Sequence, residues 1–66
     1  MKEELMKFDG ATDLGDFVQI VIDESRVLSI DLTDGFVSMK YYSVSTPLFF
    51  SATDEEVLNL VKALKR

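Results

Sequence analysis

Three aspartates, Asp9, Asp13 and Asp16, fall in one short stretch that also holds Gly10 and Gly15. Oxygen-rich loops of this kind hold Ca²⁺ or Mg²⁺, so a metal- or small-ligand-sensing module acting through Asp9–Asp16 is one reading. The spacing, however, lacks the alternating acids and closing glutamate of an EF-hand loop, and turn-forming aspartates account for the cluster equally well. No metal or other cofactor is therefore assigned. The glycines bracket no lysine and follow no predicted strand, so they form no phosphate loop.

Acid–base and nucleophilic chemistry finds few candidates. The chain has no histidine and no cysteine. That removes the commonest general base and metal ligand, the thiolate nucleophile, and any disulfide. A serine or threonine nucleophile would need a lysine or carboxylate base, and nothing in the spacing places two acids together in a pocket. A chain of 66 residues also offers little wall for one. The expected class is non-enzymatic, with no catalytic residue.

Charge suggests a different role. Residues 9–34 carry seven acids (Asp9, Asp13, Asp16, Asp23, Glu24, Asp31 and Asp34) against one base, Arg26. The last fourteen residues are balanced, with Asp54, Glu55 and Glu56 against Lys62, Lys65 and Arg66. An acidic field repels phosphate backbones and anionic lipid, which disfavours direct nucleic-acid or membrane binding and suits a basic protein partner. A specific version is an inhibitor that presents carboxylates where its target expects nucleic-acid phosphates. Asp23, Glu24, Asp31 and Asp34 are then the acids expected at the contact.

The chain is long enough for one domain with a thin core, marginal unless packing or self-association adds stability. Hydrophobic residues at 47% and charged residues at 29% fit a folded globule rather than a disordered tail. The longest apolar runs, Ile20-Val21-Ile22 and Leu48-Phe49-Phe50, fall far short of a signal-peptide core or a membrane span. A chain with neither signal nor cysteine reads as soluble and cytoplasmic.

The elements that must position these residues form an α+β arrangement. Thr53-Asp54-Glu55-Glu56 has the capping-box pattern, and Val57, Leu60, Val61 and Leu64 follow at i, i+3, i+4 and i+7. A helix is expected over about 54–65, laying its apolar stripe on a sheet. Upstream, three antiparallel strands are expected over about 17–22, 27–32 and 36–44. Leu28, Ile30 and Leu32 alternate with polar residues. A two-residue turn at Asp34-Gly35 sets Leu32 opposite Val37, Ile30 opposite Met39 and Leu28 opposite Tyr41. Bringing Val18, Ile20 and Ile22 to the same face requires an odd loop of three or five residues after them, for example 23–27, which pairs Ile22 with Leu28. Met1–Phe8 is either a short helix or an irregular arm, and Asp9–Asp16 reads as loop. Leu48-Phe49-Phe50 is either a short fourth strand near 48–51 or an apolar plug.

The second sheet face then carries Phe17, Val21, Val27, Phe36, Tyr42 and Val44 among polar residues. Either the N-terminal arm and the Leu48-Phe49-Phe50 segment cover it, or another chain does. The second alternative is preferred, because small monomers seldom leave so many large apolar groups in water. The expectation is a protein-binding module that forms a homodimer, with Phe36 and Tyr42 as its apolar contacts. An accessory or structural subunit of a larger assembly is the alternative.

Overall fold

The computed structural model describes residues 1–41 and 48–66. A short helix, α1 (Lys2–Leu5), leads into five strands: β1 (Ala11–Asp13), β2 (Phe17–Val21), β3 (Arg26–Asp31), β4 (Phe36–Tyr41) and β5 (Leu48–Ser51). The C-terminal helix α2 (Asp54–Leu64) follows. The strands form one antiparallel sheet in sequence order, β1-β2-β3-β4-β5. No helix among the described residues is long and apolar enough to cross a membrane.

The expected three central strands and the C-terminal helix are present, but the sheet has five strands. The fourth strand expected near 48–51 is β5, at the edge beside β4. The other addition, β1, lies within the stretch read as loop. It pairs Ala11 with Ile20, Thr12 with Gln19 and Asp13 with Val18. The turn that closes this hairpin is Gly15-Asp16, a glycine-first two-residue loop in which Leu14 N–H donates to the Phe17 carbonyl over 2.9 Å. Gly15 has φ +87°, a value that side chains with a Cβ rarely adopt, and its N–H donates to Asp13 Oδ1 at 2.9 Å.

The β3–β4 hairpin keeps the expected faces but not the expected register. Ile30 pairs with Val37, Leu28 with Met39, Ser29 with Ser38 and Arg26 with Tyr41, a shift of two residues. Asp31 causes the difference. Its Oδ1 accepts from Thr33 N–H (2.8 Å) and Asp34 N–H (3.2 Å), and its carbonyl accepts from Gly35 N–H (3.0 Å). These bonds make Leu32–Gly35 a four-residue loop, and only Gly35 in it takes a positive φ. Because strand side chains repeat every two residues, an even slip leaves each on its own face. The β2–β3 connection is odd, as parity required, but it is the shorter form. Ile22 lies opposite Arg26, which it reaches through its N–H, so the loop is 23–25 rather than 23–27.

One face of the sheet holds the core. Val18, Ile20, Leu28, Ile30, Val37 and Met39 are buried there against Leu5 of α1 and Val57 and Val61 of α2. Ile22, Leu32, Leu60 and Leu64 pack at the margin. The α2 capping box forms as expected: Thr53 Oγ1 accepts from Glu56 N–H, and Glu56 Oε1 accepts from Thr53 N–H. At its other end, Lys65 Nζ donates to the carbonyls of Asp9 (2.8 Å) and Val21 (3.0 Å), tying the helix to the β1–β2 edge. Both helices therefore lie on the same side of the sheet.

Candidate functional site

That shared side settles part of the covering question. The N-terminal segment joins the core layer through Leu5, and Leu48–Ser51 extends the sheet instead of folding across it. The register defines three rows on the opposite face. The middle row runs Thr12, Gln19, Ser29, Ser38, Phe49. One flanking row runs Phe17, Asp31, Phe36, Ser51, and the other runs Val21, Val27, Lys40, in which Val27, expected among the exposed apolar groups, is instead buried at 5% exposure. Phe17, Val21, Phe36 and Phe49 are 43, 45, 49 and 68% exposed, and Leu14, beside Phe17 in the β1–β2 turn, is 55% exposed. With about 150–250 Å² on each large aromatic, these five leave on the order of 450 Å² of apolar surface in contact with water. No helix or strand among the described residues crosses this face. Phe49 was not anticipated at it. Its signal was parity, since only a fifth strand puts Phe49 on the open face and Phe50 toward the core.

The expected partner-binding residues do not form one surface. A meander sends successive turns to alternate ends of the sheet. Asp23 and Glu24 lie in the β2–β3 turn, near Asp9. Asp31, Asp34 and Phe36 lie at the other end, with Asp13 and Asp16. Phe36 is on the open face, and Asp31 reaches it between Phe17 and Phe36. Tyr42 and Val44, assigned to the same face, lie outside the described residues.

Several acids are already engaged. Asp23 Oδ2 accepts from Arg26 Nε (2.9 Å) and Nη2 (2.7 Å), and its Oδ1 accepts from Ser25 N–H and Oγ. The Arg26 guanidinium, then the Ser25 N–H, hold the Asp23 carboxyl down at about 2. Asp13 is also lowered, first by the Gly15 N–H and then by Lys2, whose Nζ is 3.1 Å away. Asp9 lies at the opposite end of β1 from Asp13 and Asp16, so the sequence cluster is drawn apart. Among the described residues no three acids come close enough to share a metal ion.

A cleft of about 300 Å³ opens at the core's edge, between Met1 and Lys2 on one side and Leu32, Gly35, Asp54 and Val57 on the other. Its two cations are satisfied within the chain. The Met1 ammonium lies 2.7 Å from Glu4 Oε2, and Lys2 holds Asp13. The Glu4 hydrogen bond raises the ammonium's pKa, and the ammonium in turn lowers that of Glu4. No family model, curated protein or solved structure matches this chain.

Proposed function

We propose that the chain is a non-enzymatic protein-binding module whose contact surface is the open face of its sheet. One observation carries the reading: both helices pack on the core side, while Leu14, Phe17, Val21, Phe36 and Phe49 stand exposed on the other. A patch of about 450 Å² is as large as the largest one a typical monomer carries, roughly 300–600 Å², and patches of that size are often functional. Acids at the two ends bracket this face rather than fill it. Apolar contact therefore supplies the affinity, and charge tunes encounter and partner choice. The chain's lack of histidine and cysteine supports a role other than catalysis.

That lack of cysteine also supplies the test, because one introduced thiol is unique. Ser38→Cys places it at the middle of the open face, and Asn59→Cys places it on an exposed turn of α2. Each variant would carry a short photo-crosslinker, and the products would be read by peptide mass spectrometry. The expected result is a crosslink from position 38 to one defined protein segment, absent from position 59. Equal labelling from both positions, or none from either, would refute the reading.

A further inference from the structure

Resting on that reading, we infer that the occupant of the open face is a second copy of this chain, packed sheet to sheet about a twofold axis along the middle row. Area is the first argument. A standard interface buries about 800 Å² per partner, a little over half of it apolar. The roughly 450 Å² of apolar surface on this face supplies that share.

Charge is the second argument, and it selects the axis. Within the three rows that cross the strands, the face carries two charged groups, Asp31 and Lys40, on neighbouring strands in opposite flanking rows. They stand four residues apart along the strand direction, about 13 Å, too far to pair within one chain. Asp31 Oδ1 is committed to the Thr33 and Asp34 amides. Its Oδ2 has no partner among the described residues and is left for a cation.

Two twofold axes pass through the centre of the face parallel to its strands or to its rows. One runs along β3; it keeps each row over itself and sets Asp31 against the second copy's Asp31. Like charges so placed are costly. The other runs along the Thr12–Gln19–Ser29–Ser38–Phe49 row and exchanges the flanking rows. Phe17 then lies over the second copy's Val21, Phe36 over the stem of its Lys40, and Phe49 over its own equivalent. Asp31 is then offset from the second copy's Lys40 by one strand spacing, about 5 Å, across a sheet separation of about 10 Å, which the two side chains reaching toward each other span. Packed sheets cross at about 30°, which this contact accommodates because Ser29 and Ser38 are small at its centre. Only the second axis pairs opposite charges.

Each copy carries a net charge of −5, so two copies repel at long range. Added salt screens that repulsion and tightens the dimer, whereas it would weaken capture of a basic partner. The experiment is sedimentation equilibrium on wild type, Lys40→Glu, and Lys40→Glu combined with Asp31→Asn, with circular dichroism checking the fold of each. Asparagine keeps the Oδ1 acceptor that the Leu32–Gly35 loop uses. The expected wild type is a dimer at tens of micromolar that strengthens between low and high NaCl. Lys40→Glu should weaken it about 10-fold or more, and Asp31→Asn in that background should recover most of the loss. A dimer indifferent to Lys40→Glu would overturn the assigned axis. A wild type monomeric at several hundred micromolar would overturn the second copy as occupant. If that monomer still crosslinked another protein from position 38, the binding module would stand with a different partner. If it crosslinked nothing, the module itself would fall.

Discussion

Replacing Ile30 with alanine probes the assignment of faces on which the whole site depends. Ile30 sits on the central strand, is 1% exposed, and is packed among Val18, Val37 and Val57 in the core. Three carbons are removed, each worth about 0.8 kcal/mol of transfer free energy, or roughly 2.4 kcal/mol together. The cavity left behind adds a further cost at about 24 cal/mol per Å³, so a residual void of about 50 Å³ contributes roughly 1.2 kcal/mol. The expected loss is therefore about 3–4 kcal/mol, against a total of roughly 3–10 kcal/mol for a chain of this length. Ser29, its neighbour in sequence, lies on the open face, and Ser29→Ala should cost less than about 0.5 kcal/mol. In urea, with a slope near 1 kcal/mol per molar, Ile30→Ala should lower the midpoint by about 3 M and Ser29→Ala by less than about 0.5 M. Circular dichroism at low and high protein concentration separates the intrinsic loss from any contribution of self-association. Similar midpoint shifts for the two variants, at either concentration, would refute the division of faces.

Lys65→Met should destabilise the fold by about 1 kcal/mol, because the Asp9 and Val21 carbonyls lose a charged donor but remain close enough to the surface for water to replace it. Amide exchange should quicken at Val21, whose N–H donates to the Gly10 carbonyl beside the tie, and unchanged exchange there would count against it. Asp23 has a folded pKa of about 2, below its ordinary 3.8. Its contribution is fully present above about 3.8 and disappears as pH falls through about 2. The gap in melting temperature between wild type and Asp23→Asn should therefore close across that window, and a gap independent of pH would refute the assignment. Chelation with EDTA should leave the melting temperature unchanged. A rise of several degrees on adding Ca²⁺ or Mg²⁺, abolished by Asp13→Asn, would reinstate metal binding by the aspartates.

The parts of the fold written in local periodicity were legible. The stripe Val57, Leu60, Val61, Leu64 and the box at Thr53 and Glu56 define α2 almost to the residue, because caps and amphipathic spacing are properties of a few consecutive side chains. Face assignment on β2, β3 and β4 was equally readable, since alternation fixes it whatever the pairing. Register was harder. Asp34-Gly35 offered a two-residue turn, but the Asp31 carboxylate captured two loop amides and fixed a longer one. Strand β1 was obscured because three residues carry almost no periodic signal; Gly15-Asp16 ahead of Phe17 was the available clue. The acids read as a single charged region because sequence gives order and not direction, while each turn of a meander reverses the chain. Phe36 was placed on the open face by alternation alone, whereas Phe49 needed the pairing of β5 with β4.

The order β1-β2-β3-β4-β5 has a consequence for the birth of the molecule. Each strand's partner is the segment made just before it, so pairing can follow the growing chain without waiting for distant sequence. The larger cover of the core, α2, is synthesised only after the whole sheet. Until Val57 and Val61 leave the ribosome, a nascent sheet shows apolar side chains on both surfaces, with only Leu5 and its short helix against one of them. The bond from Lys65 to Val21, spanning 44 residues, can form only after all five strands have been made. The nascent chain is thus most vulnerable to aggregation in the short interval between completing the fifth strand and seating α2.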